Sequence, residues 1–258
     1  MKFFKEFSPF QKGFFVFFMA ASIITFFLPA FIKGGTLDSV LTFGGIIGLI
    51  ATLTGVITSI YQARGNLILY TWWIVNTIAM LGIDFSGNLY GQGIKTIILT
   101  LPLQVYGLLA WKKNLEKSKT KVVTVRRVKP KEWIIYAIVL VVGWYLYMLL
   151  IKYLPYFVHY IFGTQIKPDP SLILDSISGT LTTFAFYLTA RRYVEQWAFW
   201  ILANMGFILF VKSFIAAPHF SIVYLSGAVM WGQYLVSSIY GYFNWIKIEK
   251  QQKAEALA

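Results

Sequence analysis

Apolar and polar residues along this chain alternate in long blocks. Mostly apolar runs of span length recur eight times, at 13–32, 39–61, 66–83, 89–111, 133–152, 172–190, 194–214 and 219–246. About 20 helical residues rise about 30 Å, the thickness of a bilayer's hydrocarbon core. Runs that are apolar on every face predict helices whose solvent is lipid. The first run occupies the place of a secretory leader, but it is too long for one. Leu28-Pro29-Ala30-Phe31 also lacks a small-x-small cleavage site, so 13–32 reads as a retained span.

Composition points the same way. Of 258 residues, 58% are hydrophobic and 13% charged, and the mean hydropathy is +0.66. Soluble domains carry about 25% charged residues. There are no cysteines, and the two histidines, His159 and His219, have no metal-binding spacing, so neither a metal site nor a cofactor is expected. The net charge of +13 would suggest nucleic acid in a soluble protein; in a membrane protein it marks cytoplasmic loops. No nucleic-acid partner is expected.

The loops then set the orientation. The connection 112–132 holds nine of the basic residues, from Lys112 to Lys131, and is cytoplasmic by the positive-inside rule. Its basic run reads as a solvated linker. Alternation from there places Lys2, Lys5 and Lys12, the turns at Arg64 and Arg191-Arg192, and the tail 247–258 inside as well. Loops 33–38, 84–88, 153–171 and 215–218 fall outside. Seven spans would turn the N-terminal lysines outward, so the charges favour eight, with both termini cytoplasmic.

Two segments echo each other. Trp72-x-x-x-Asn76 in the third run matches Trp200-x-x-x-Asn204 in the seventh. Tyr106-Gly107-x-x-x-Trp111 closes the fourth run, and Tyr240-Gly241-x-x-x-Trp245 closes the eighth. The expected fold is therefore an all-α integral membrane protein of eight transmembrane helices. An N-terminal segment and extra helix (1–38) precede one three-helix repeat (39–111). After the basic loop, a linker helix (133–152) and an outer loop (153–171), a second repeat (172–246) runs parallel to the first. Parallel repeats about an axis along the membrane normal are a transporter architecture, as in SWEETs. Trp111 and Trp245 also suit plain interfacial anchors.

The asparagines are not explained by anchoring. Asn204 lies about ten residues, or about 15 Å, into its helix from the cytoplasm, and Asn76 lies equally deep. Trp197, Trp200 and Asn204 follow an i, i+3, i+7 pattern that puts them on one side of a helix. Two readings stand: a substrate site between the repeats, or amides that only bond neighbouring helices. An intramembrane hydrolase needs a base and nucleophile or metal ligands, which this sequence does not offer, so the chain is not expected to be an enzyme.

Arg191-Arg192-Tyr193-Val194-Glu195-Gln196-Trp197, followed by Trp200 and Asn204, resembles the PnuC family of vitamin transporters, whose hallmark is Trp-x-x-Trp-x-x-x-Asn. Leu89-Tyr90, Tyr106-Gly107-x-x-x-Trp111, Asp175-Ser176 and the basic loop agree with it, over roughly 40–246. The resemblance implies a homotrimer in a bacterial cytoplasmic membrane. It implies uptake of nicotinamide riboside by facilitated diffusion, with trapping by cytoplasmic phosphorylation. Relatives carry deoxynucleosides, thiamine or riboflavin, which are the alternatives. Where many members have Leu-Gln shortly after Leu-Tyr, this chain has Lys95-Thr96, and Gln104 is the candidate replacement amide.

A pyridinium cation suits the faces of Trp197, Trp200 and Trp72, each indole giving about 0.5–2 kcal/mol. Asn204 can pair with the carboxamide, and Asn76 and Gln104 with the ribose hydroxyls. Trp73, Gln196 and Tyr106 flank these positions and complete the candidate set. Lys95, about 8 Å below the outer surface, either snorkels to the interface or enters the pathway and favours a neutral nucleoside. Asp175 either caps its helix with Ser176 or guides a cation. A phosphate finds no basic partner at mid-depth.

Overall fold

In a bilayer a backbone amide has no water to bond to, so the apolar runs satisfy their own backbone as helices. The computed structural model describes residues 2–32, 35–86, 90–169, 172–216 and 222–257. We number the main helices α1 (Pro9–Phe31), α2 (Phe43–Ala63), α3 (Ile68–Ser86), α4 (Tyr90–Lys95), α5 (Leu101–Ser118), α6 (Pro130–Phe162), α7 (Leu172–Ala190), α8 (Gln196–Ala203), α9 (Gly206–Ala216) and α10 (Ile222–Leu257). Short helices at Lys2–Lys5 and Leu37–Val40 precede α1 and α2. Among the described residues, six stretches are long and apolar enough to cross a membrane: α1, α2, α3, the continuous α4–α5, α6 and α7.

Local chemistry sets several boundaries. The Ser8 hydroxyl accepts from the Gln11 amide while Gln11 reaches back to the Ser8 amide, a capping box ahead of Pro9. Thr42 caps α2 through the Gly45 amide. Gly163, at φ +67°, ends α6; glycine takes this left-handed turn without steric cost.

Four expectations change. The expected single run 194–214 is two helices, broken at Asn204-Met205. The expected linker helix 133–152 extends from Pro130 to Phe162, so the outer loop begins later than 153; Pro155 lies inside the helix, as membrane helices allow. The 36-residue α10 is about 54 Å long, so the expected tail 247–258 continues the helix through Leu257. Asp84, expected in the outer loop 84–88, lies buried in the last turn of α3. Leu89 and His219 fall outside the described residues.

The helices close into a ring. α2 packs on α3, α3 on α5, α5 on α7, α7 on α8, α8 on α10, and α10 back on α2. α1 lies outside this ring against α2 and α10, and α6 lies outside it against α7. α6 turns Ile134, Ile138, Val141 and Leu146 outward, as a lipid-facing helix does.

Two indoles tie the ring at the end where α2 and α7 finish. Trp111 Nε1, on α5, donates to the Thr189 carbonyl at the end of α7 (2.9 Å), and Trp245 Nε1, on α10, donates to the Gln62 carbonyl at the end of α2 (3.0 Å). Both side chains are fully buried, with ring centroids 6.0 Å apart. The last carbonyls of a helix have no partner within it. Each indole caps a helix drawn from the other half of the sequence, so these tryptophans do more than anchor an interface. Close backbone approach lets this happen. A Cβ at Gly107 would collide with the Tyr70 phenol, and one at Gly241 with the Trp197 indole.

The basic connection is structured, not simply solvated. The Val123 amide donates to the Gly65 carbonyl in the α2–α3 turn (3.1 Å). Further along, Arg126 pairs with the α7–α8 turn through Arg126 N to Arg192 O (2.9 Å) and Val194 N to Arg126 O (3.0 Å). Arg127 bridges Glu249 (2.8 Å) and Glu195 (3.5 Å), and Lys253 also reaches Glu249 (2.8 Å). The connection is a belt that grips both inter-helix turns and α10. Burial pushes the Glu249 carboxyl up, but Arg127 and Lys253 outweigh it and hold the group below its ordinary 4.5.

Gly107→Ala is expected to destabilise the purified protein by about 1–3 kcal/mol through overpacking, read as a lowered thermal unfolding midpoint. A carboxyl whose pKa falls on folding stabilises the fold above its unfolded-state value and loses that effect as pH drops through its folded-state value. Thermal stability is therefore expected to fall on acidification below pH 4.5, and Glu249→Gln to flatten that dependence.

Candidate functional site

The sequence-derived candidates fall into three places. The first is an aromatic group made by α3, α7 and α8. Trp73 stacks on Phe186 (centroids 4.5 Å apart, planes at 23°). Trp200 meets Phe186 edge-on at 5.1 Å and lies 5.9 Å from Trp73. Its Nε1 donates to Thr189 Oγ1 (3.1 Å), which fixes the plane of the indole. Trp72 is half-buried beside the core cluster.

The amides lie around this group and each already has a neighbour. Asn204 caps the end of α8, and its Nδ2 donates to Ser238 Oγ on α10 (3.1 Å). Asn76 donates from Nδ2 to the Ala51 carbonyl and to Thr54 Oγ1 of α2, and it also bonds the Tyr234 hydroxyl of α10. Gln104 is fully buried and donates to Thr77 Oγ1 (2.7 Å), while its own carbonyl oxygen has no partner among the described residues. A polar atom buried without a partner costs about 1–3 kcal/mol.

Trp197, Trp200 and Asn204 do not address one neighbour. At about 100° per residue, i+3 stands about 60° away from i, whereas i+7 returns to within about 20°. Trp197 and Asn204 accordingly face α10, where Trp197 packs on Gly241 and Trp245. Trp200 faces α7 and α3.

The second place is the end of the ring where α2 and α7 finish. Gln196 is fully buried; its Oε1 accepts from Thr189 Oγ1 (2.6 Å) and Gln62 Nε2 (3.2 Å), and its Nε2 donates to the Tyr193 carbonyl (3.0 Å). This network stitches α2, α7 and α8 together below the aromatic group. Tyr106 is exposed and accepts from Arg191 Nη1 (3.4 Å). That bond is the main cause holding the Arg191 guanidinium above its ordinary range, so this mouth keeps a fixed positive charge.

The third place is the opposite end of the ring, where Lys95 and Asp175 lie. The Lys95 ammonium is 5.9 Å from the ring centre of Tyr147 on α6 and sits in the fields of Asp84 and Asp175. Neither residue lies beside the aromatic group.

Sequence reasoning missed Phe186, Thr189, Gln62, Ser238 and Asp84. One signal was available: Gln62-Ala63-Arg64 and Thr189-Ala190-Arg191 are a third echo between the halves. Two backbone irregularities were also missed. α8 and α9 break at Asn204-Met205, just before Gly206. A turn of π-helix, Thr96–Thr100, joins α4 to α5 ahead of Pro102. Broken helices and π-turns at membrane depth concentrate at functional sites.

Comparison with known proteins agrees with this arrangement. Residues 45–247 match the family model described as nicotinamide mononucleotide transporter. The chain is 24% identical over 210 residues to the nicotinamide riboside transporter PnuC of Neisseria mucosa, covering 80% of this chain and 74% of that protein. It is 25% identical over 206 residues to the protein of the same name from Haemophilus influenzae, covering 80% and 81%. The crystal structure of the vitamin B3 transporter PnuC superposes with a TM-score of 0.68 at 22% identity, over 95% of this chain and 94% of that one. The matched stretch includes the six ring helices and the linker helix, and with it the chain belongs to the nicotinamide mononucleotide transporter (PnuC) family of multi-pass membrane transporters and is a transporter, not an enzyme.

Proposed function

We propose that the chain takes up nicotinamide riboside by facilitated diffusion through the centre of the helix ring, and that cytoplasmic phosphorylation traps the product. The carrying observation is the break in α8–α9 at Asn204 beside the Trp73–Phe186–Trp200 group. α8 runs in from the cytoplasm and ends at Ala203. α9 starts at Gly206, so the positive end of its dipole meets the negative end of α8 at the break, and the choice of a cationic pyridinium rests on the aromatic rings. Indole faces favour the same pyridinium, and the Asn204 carboxamide matches the nicotinamide carboxamide in donors and acceptors. The printed names of the Neisseria and Haemophilus relatives support the choice of substrate.

The reading includes the eight-span arrangement of two parallel repeats, with α2, α3 and α4–α5 as one copy and α7, α8–α9 and α10 as the other. The reciprocal indole caps and the paired Gly107 and Gly241 contacts support it. It also includes homotrimeric assembly, placement in a bacterial cytoplasmic membrane and cytoplasmic termini. The inward belt of basic residues supports the orientation.

Riboside is favoured over the mononucleotide of the family's name. The aromatic and amide cluster has no lysine or arginine among its described contacts, and a phosphate needs such a partner. Uniport is favoured because the buried carboxylate Asp84 and Asp175 lie at the outer end and not at this cluster. A gradient-coupled site would place them beside the substrate.

Titration of the purified protein is expected to show saturable binding of nicotinamide riboside and none of the mononucleotide. Trp200→Ala and Asn204→Ala are each expected to weaken riboside binding about 10- to 100-fold, the loss of about 1.4–2.8 kcal/mol, with the thermal unfolding midpoint kept near wild type. Binding of thymidine or thiamine in place of the riboside would overturn the substrate. Riboside uptake into vesicles is expected to proceed without a proton or sodium gradient.

A further inference from the structure

The echo between the halves extends to a tyrosine and an arginine beside the indole caps, and the two halves use them differently. Tyr106 precedes Trp111 on α5 at the same spacing as Tyr240 precedes Trp245 on α10. Arg64 follows Gln62-Ala63 at the end of α2, as Arg191 follows Thr189-Ala190 at the end of α7. Across the α5–α7 seam the pair meets directly. Arg191 Nη1 donates to the Tyr106 hydroxyl (3.4 Å), and Tyr106 is exposed. Across the α10–α2 seam Tyr240 and Arg64 are each held by the segment that leads into α1.

That segment grips both sides of the seam at once. Gln11 is buried; its Oε1 accepts from the Ser8 amide, and its Nε2 donates to the Tyr240 hydroxyl (3.1 Å). Phe10 stacks on the Tyr240 ring, with centroids 4.2 Å apart and planes at 17°. On the α2 side Glu6 bridges Arg64 (3.3 Å), whose guanidinium lies over the Phe7 ring, 5.5 Å from its centre. Phe7 is buried and meets Tyr61 of α2 edge-on at 6.1 Å. A stacked ring and a hydrogen bond hold α10, while an ion pair and a cation–π contact hold α2. Glu6 and Gln11 are joined by one short stretch of chain, so the two helices are stapled together.

The seams are unequal in other ways. Each keeps its indole cap. Beyond that cap, α10 donates to α2 from Asn244 Nδ2 to the Ala63 carbonyl (2.8 Å) and from Ser237 Oγ to the Ser59 carbonyl (3.4 Å). The α5–α7 seam has the Tyr106–Arg191 bond and one from Arg192 Nη1 to the Ala110 carbonyl (3.3 Å), both from the α7–α8 turn. α10 is continuous from Ile222, whereas α5 follows the π-turn Thr96–Thr100 and carries Pro102 in its first turn. Helices bend at such places. In lipid no hydrophobic force holds helices together, so bonds and close contacts decide which seam parts first. We propose that the segment Glu6 to Gln11 is a clamp that keeps the α10–α2 seam shut, so that the ring opens at this end by α5 swinging away from α7, with Tyr106 and Arg191 as the gate and Thr96–Thr100 as its hinge. The proposal rests on the reading of the ring as the path of nicotinamide riboside. A hinge that takes up its motion in a few residues at the end of an element is a common way for such a path to open.

Reversible bridging tests this. The chain has no cysteine, so an introduced pair supplies its only thiols. Gln11→Cys with Tyr240→Cys places a pair across the clamp, and Tyr106→Cys with Arg191→Cys places one across the gate. Each protein is bridged in proteoliposomes by a bifunctional methanethiosulfonate that spans the pair. Initial nicotinamide riboside uptake is read before bridging, after it, and after release by a reductant. Bridging the clamp is expected to leave uptake within about twofold of the unbridged protein, and bridging the gate to cut it about tenfold or more, with recovery on release. Each comparison is made within one protein, so a folding defect of the variant cancels. Loss of uptake on bridging the clamp, or unchanged uptake on bridging the gate, would overturn the clamp while the transport reading stands. Absence of riboside uptake by the wild-type protein would overturn both.

Discussion

Inside a protein the buried end of a helix is a problem, because its last carbonyls have lost both the next turn and water. The Trp111 and Trp245 indoles answer it reciprocally, each bonding the final turn of a helix from the opposite half of the chain. The two rings meet at the core of the molecule, and the belt from Val123 to Arg127 locks the turns just outside them. Everything above this layer is held from below: α8 starts from it, and Gln196 and Thr189 connect it to Trp200.

That anchoring makes the broken helix tolerable. α8 is short, and a short helix with a free end at mid-depth would be unstable alone. Here its first turn is fixed by Gln196 and its Trp197 is clamped on Gly241, so the break falls at Asn204, where Ser238 receives the amide. The break leaves the Asn204 carboxamide on the α10 side of the helix and the Trp73–Phe186–Trp200 rings on the α3 and α7 side, one turn apart. The charged groups lie instead at the two ends of the ring: a guanidinium at Arg191 beside the α7–α8 turn, and carboxylates around Tyr147 at the opposite end.

Hydropathy located six of the eight expected spans as long apolar helices among the described residues, because lipid demands apolarity on every face over a fixed length. The Trp-x-x-x-Asn and Tyr-Gly-x-x-x-Trp echoes picked out Trp200, Asn204, Asn76, Trp111 and Trp245 in advance. The sequence pattern did not separate Trp197 from Trp200. A helical period says which residues share a side, but a 60° difference becomes decisive only once neighbours are in place. Phe186 was invisible for the same reason, being one aromatic among many in a 19% aromatic chain.

Sequence by itself determined the solvent, the order of the apolar runs and the family to which the chain belongs. These follow from transfer energies and charge counts that depend on composition within a window. Only the tertiary structure decided that the seventh run breaks at Asn204, that Asp84 is buried beside Lys95 and not in a loop, and that the basic connection is a structural belt. Each of those outcomes depends on which partner stands within hydrogen-bonding or Coulomb range, and those partners lie from about ten to more than a hundred residues away along the chain.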